Sequence, residues 1–94
     1  MADSYPYYEY RAKRRVVGRE EPDETTPERD PNGPYPCVME AGDVAYGDSP
    51  ADAQEGWTFL YAILFGHAAQ SVGWCKVEDF DITGPFEVDR PSQA

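Results

Sequence analysis

The chain is poor in cations, cysteine, histidine and long apolar runs, and each shortage removes a class of function. Residues 37–94 hold only Lys76 and Arg90 against ten acidic side chains, a net of −8, and residues 1–36 hold six basic and eight acidic ones, a net of −2. A body charged in this way repels phosphate backbones and anionic lipid and attracts basic partners, so nucleic acid is not the expected partner. Two cysteines, Cys37 and Cys75, and one histidine, His67, stand far apart without Cys-x-x-Cys or His-x-x-x-His spacing. No metal and no cofactor is expected from them. The N-terminus has no basic stretch leading into an apolar one, and reduced thiols in a small soluble cytoplasmic protein are the expectation. The longest apolar run, 57–65, is broken only by Thr58 and falls far below the roughly 20 residues of a membrane span. Catalysis finds equally little. His67 sits beside Gly66 with Ser71 nearby, but no spacing supplies a nucleophile with a base and an orienting group, so no enzyme is expected.

Aromatic side chains are what the chain has, at 14% of residues. Large rings bury much area apiece, so a few of them can hold a small β-rich core. Tyr5, Tyr7, Tyr8 and Tyr10 crowd around Pro6 without a clear period, and Arg11, Lys13, Arg14 and Arg15 follow. Residues 1–14 read as a flexible or extended arm that could contact a partner or fold back onto the acidic body. Residues 18–36 contain five prolines and mixed charge, with Tyr35 the only large apolar residue, and read as loop. Beyond them Val38, Met39, Val44 and Tyr46 flank Gly42-Asp43, a pair suited to a tight turn. Phe80, Ile82, Phe86 and Val88 keep an even-numbered alternation, as a half-buried strand does, and 90–94 read as a tail.

The run 57–65 admits two readings. Its β-branched and aromatic content favours a buried strand. Ser49-Pro50-Ala51-Asp52 instead has the form of a helix start, with a Ser cap and Pro at the first position. A helix at about 50–70 would carry Gly56 and Gly66, each costing about 1 kcal/mol against Ala. A mostly β chain is therefore the expectation, with an α+β fold the alternative.

Taken in order, these segments resemble the Src homology 3 (SH3) family and its bacterial and fungal relatives. The residues concerned are Val16-Val17 as a first strand and Glu20, Glu21, Asp23, Glu24 and Glu28 in a long acidic loop. Val38 to Val44 turn at Gly42-Asp43, Gln54-Glu55-Gly56-Trp57 lead into a central strand, and Gly73-Trp74 precede a short turn ending at Phe80. The resemblance implies a small five-stranded barrel over 15–89. Two motifs depart from the family: Val17-Gly18-Arg19-Glu20 lacks a tyrosine, and Lys76 or Val77 stands where a proline is usual. By the same resemblance Trp57 would contact the ligand and Phe80 would form the far wall of its groove. Glu20, Glu21, Asp23 and Glu24, with Glu55 beside Trp57, would prefer arginine or lysine in that ligand. Against this, Trp57 and Phe80 could equally be core residues, and the acids a solvated loop. The implied function is a non-catalytic protein-interaction module for an extended basic or proline-containing segment. A small acidic inhibitor mimicking nucleic acid, or a small subunit of a larger complex, are the alternatives.

Overall fold

The computed structural model describes residues 4–89, so 1–3 and the expected tail at 90–94 lie outside the described residues. The fold is mostly β. Strands β1 (Ser4–Ala12), β4 (Val44–Gly47), β5 (Trp57–Tyr61), β6 (Ser71–Lys76) and β7 (Phe80–Asp89) form an antiparallel sheet in the order β6-β5-β4-β1-β7. Strands β2 (Val16–Val17) and β3 (Val38–Met39) pair separately, at the base of the long loop between β1 and β4.

The helix start at Ser49 is real but brief. The Ser49 hydroxyl oxygen accepts from the Ala51 N–H at 3.2 Å and caps a single 3-10 turn, Pro50–Asp52. Gln54 and Trp57 then exchange backbone hydrogen bonds of 2.8 and 2.9 Å around Glu55 and Gly56, both at positive φ (51° and 86°). That left-handed pair makes a tight turn into β5 and ends any helix there, since glycine reaches such a φ without steric cost. The run 57–65 accordingly begins as a strand, which ends at Tyr61.

Three sequence expectations are corrected. The arm expected over 1–14 is strand from Ser4 to Ala12, held inside the sheet between β4 and the edge strand β7. Its alternation was obscured because tyrosines occupy both faces: Tyr8 and Tyr10 turn toward the core, while Tyr7 faces out with Glu9. The first strand is thus β1, and Val16–Val17 pairs only with β3. Second, the sheet does not close into a barrel. The outer edge of β6 exchanges hydrogen bonds with Arg19 (Arg19 N–H to the Trp74 carbonyl, 3.0 Å; Trp74 N–H to the Arg19 carbonyl, 2.8 Å), so loop backbone occupies the place that β7 would need. Third, the alternation along β7 breaks. Pairing runs Glu9↔Thr83 but Tyr7↔Phe86, which leaves one extra residue in β7 around Gly84 and turns Phe86 to the outer face.

The core lies on the inner face. Tyr10, Ala12, Ala45, Leu60, Val72, Cys75 and Phe80 from the sheet meet Val16 and Met39 from the small ladder. The Tyr10 ring stands edge-on to Phe80 at 5.8 Å, and its hydroxyl donates to the Asp48 carbonyl. Burial of each large apolar side chain here is worth about 1.5–3 kcal/mol.

Arg29 anchors the long loop. It is 8% exposed; its Nε and Nη2 donate to the Glu20 carboxylate (3.1 and 3.3 Å), and its Nη1 donates to the Ser71 carbonyl and hydroxyl (both 3.1 Å). Gly18 lies so close to Val72 that a Cβ there would collide with the Val72 carbonyl. The proline-rich stretch is therefore laid against β6 by one buried guanidinium.

Candidate functional site

Trp57 opens β5 and pairs with Lys76 at the end of β6. It is 8% exposed, so only an edge of the indole reaches solvent. Lys76 lies over that ring with Nζ 5.6 Å from the centroid, and the same ammonium is ion-paired with Glu24 from the long loop. A cation held between an indole face and a carboxylate gains both cation–π attraction and a charge-assisted hydrogen bond.

Two shallow depressions meet at this point and share Trp57, Glu24 and Lys76. One, of about 360 Å³, extends past Arg19 and Glu28 to Asp79. The other, of about 450 Å³, extends past Glu55 and Gly56 to Glu78. Arg19 pairs with Glu28 (3.9 Å) and Arg14 with Asp79 (3.0 Å). Among the described residues Glu55 and Glu78 form no ion pair, so their side of the indole is the acidic one.

The sequence-predicted residues part company here. Glu24 and Glu55 lie with Trp57. Glu20 is drawn away to Arg29. Glu21 and Asp23 are exposed in the loop, where the Asp23 carboxylate accepts from the Thr25 N–H at 2.8 Å, a bond that holds its pKa below the usual value. Phe80 is 3% exposed against Tyr10 and forms no wall of a groove. Lys76 and Glu78 complete the site. Lys76 is conspicuous in sequence as the only lysine after residue 36, but its role needed the Trp57–Lys76 pairing.

Other candidate chemistry is engaged in structure. The cations that follow the N-terminal tyrosines pair with carboxylates: Lys13 with Asp81 (4.0 Å), Arg14 with Asp79 and Arg15 with Glu40 (3.5 Å), while Arg11 donates to the Gly42 carbonyl (2.9 Å). Both cysteines are buried free thiols, and burial, then the Asp79 charge, push Cys75 up to about 12, far from nucleophilic thiolate. Among the described residues no group of His, Cys, Asp and Glu is placed to hold a metal ion, and no helix is long and apolar enough to cross a membrane. No known protein family, curated protein or solved structure matches this chain. The arrangement at Trp57 can hold a cation.

Proposed function

We propose that this chain is a non-catalytic, SH3-like binding module that takes an extended basic segment of a partner protein along the Glu24–Trp57–Glu78 surface. One observation carries it: the chain's own Lys76 ammonium already rests between Trp57 and Glu24. An arginine or lysine of the partner would use the neighbouring carboxylates Glu55 and Glu78 in the same way. The order of elements supports the SH3-like reading. A strand, a long acidic loop, the Gly42-Asp43 turn into β4, an acidic loop closed by Gly56-Trp57, two strands joined by the 3-10 turn Ala68–Gln70, and the 3-10 turn Val77–Asp79 before Phe80 follow one another. Two unpaired cysteines suit a cytoplasmic setting.

The test is titration of the wild-type chain and of Glu55→Lys/Glu78→Lys with a labelled basic, proline-containing peptide. Both carboxylates are at the surface, so the double variant keeps the fold, and it should weaken binding about tenfold or more. Lys76→Gln should strengthen it by removing the internal occupant. Equal affinity across the set would sink the proposal. The acidic-inhibitor reading retains one support, the pairing of the N-terminal cations within the chain, which leaves the surface acidic as a whole. It would show as equal losses from neutralising acids remote from Trp57, such as Asp48 and Asp52.

A further inference from the structure

The outer face of the sheet, turned away from the core, carries a row of rings that the Trp57 site does not use. Cross-strand pairing sets the row: Trp74 opposite Phe59, Tyr61 opposite Tyr46, and Tyr7 opposite Phe86. Directly opposed residues share a face, so rings from all five strands stand on one side. Neighbouring ring centroids lie close: Phe59–Trp74 5.5 Å, Phe59–Tyr61 5.2 Å, Tyr7–Tyr46 6.0 Å and Tyr7–Phe86 5.5 Å. At a strand spacing of about 4.8 Å the row runs roughly 19 Å across the sheet. Every one of these rings is at least partly exposed, Phe86 by 38%. The hydrophobic core is built without them. Scattered surface rings need no explanation, but six in one row mark a contact surface.

The chemistry of the occupant is written at one end of the row. The Arg29 guanidinium lies 4.2 Å over the Tyr35 ring and 5.9 Å from Phe59, with Glu20 as its counter-ion. The close stack is on Tyr35 of the long loop, and of the row only Phe59 lies within cation–π reach of this guanidinium. Glu9 stands farther along it, opposite both Tyr46 and Thr83, and forms no ion pair among the described residues. A net charge of −10 opposes both nucleic acid and a second copy of the chain.

We infer that the row binds an arginine-bearing segment of a basic protein, whose guanidinium groups stack on Tyr61, Tyr46 and Tyr7 with Glu9 as counter-charge. This rests on the reading of the chain as a module for basic partners, but it uses rings and a carboxylate that the Trp57 site does not, farther along the face that Trp57 shares with Phe59 and Tyr61, so the two can fail separately. Arginine stacks its planar group on rings where the lysine ammonium is a hydrated point charge. A stacking surface therefore separates two peptides that net charge alone treats alike.

The probes are a labelled arginine–glycine peptide and its lysine–glycine counterpart, titrated into the full chain. Wild type should prefer the arginine peptide by about threefold or more. Tyr61→Ser/Phe86→Ser should lose that preference, while Glu55→Lys/Glu78→Lys should keep it. Should the serine variant melt early, Glu9→Lys tests the same face without removing a ring. Equal binding of the two peptides by wild type would overturn the inference, as would an unchanged preference in both face variants. Tighter binding of oligothymidylate, or a wild-type dimer that the serine variant dissociates, would assign the face to another occupant and overturn it as well.

Discussion

The two faces of this sheet are both aromatic, and the same residue type has opposite fates on them. Tyr10 is fully buried against Phe80 on the inner face, whereas Tyr7, three residues earlier on the same strand, lies partly exposed against Phe86 on the outer one. Strand pleating alone separates them, because successive side chains point to opposite sides. The extra residue in β7 then carries Phe86 across to join Tyr7. Composition fixes how many rings a chain has; register decides which of them hold the fold and which are left to meet something else.

The sharpest way to break that comparison is to truncate an inner-face residue. Leu60→Ala, at a fully buried position, should cost about 2–5 kcal/mol in urea denaturation. A loss below about 1 kcal/mol would mean that the inner face is not the core. Next comes the guanidinium that fastens the loop to the sheet. Arg29→Met keeps the volume but abandons the Ser71 acceptors, and about 1–3 kcal/mol should follow. Faster exchange of the Arg19 and Trp74 amides should accompany it, since those bonds tie loop to β6. No change in their exchange would show that the loop is held by something else.

Inner-face burial also sets a pH dependence. Cys75 is raised from 9.0 to about 12, by burial first and then by Asp79, and burial likewise raises Tyr10 from 10.0. Between pH 9 and about 12 the unfolded chain gives up the Cys75 proton while the folded chain keeps it. The unfolded state therefore binds fewer protons, and stability falls as pH rises through that window. Urea midpoints measured from pH 8 upward should decline on the alkaline side, and Cys75→Ala should flatten the decline. Iodoacetamide at neutral pH should label Cys75 only on unfolding.

Smaller effects belong to the outer side. Tyr61→Ser should cost less than about 1 kcal/mol, well under Leu60→Ala, because its ring is partly in water already. A larger loss would make the outer row structural and sharpen the comparison against the proposed binding role. Smallest of all is Arg15→Ala. Its partner Glu40 lies 3.5 Å away with both side chains more than half exposed, and such pairs are worth about 0–1 kcal/mol.

Much of this was legible along the chain. The β-branched and aromatic content of 57–65 pointed to a strand, Gly42-Asp43 to the turn into β4, and Phe80 with Ile82 to the inward half of β7. Glu24, Glu55 and Trp57 were placed at one site, and the structure brings them together. Phe80 was not separable from core by sequence, because a ring on a strand looks the same whether it plugs the interior or lines a groove. Glu20 was lost to the site because its partner, Arg29, is nine residues away in a stretch with no apolar signal. β1 was hidden by tyrosines on both faces, which erase the period that marks a half-buried strand.

What the sequence determined by itself was local: strand propensity, the tight turn at Gly42-Asp43, and an acidic body with few cations. Those follow from the chemistry of neighbouring residues. What only the tertiary structure decided was which side each ring faces, where Arg29 finds its acceptors, and that Lys76 lies over Trp57 beside Glu24. Each of these depends on pairing between segments distant in the chain, and a single slip of register would have undone all three.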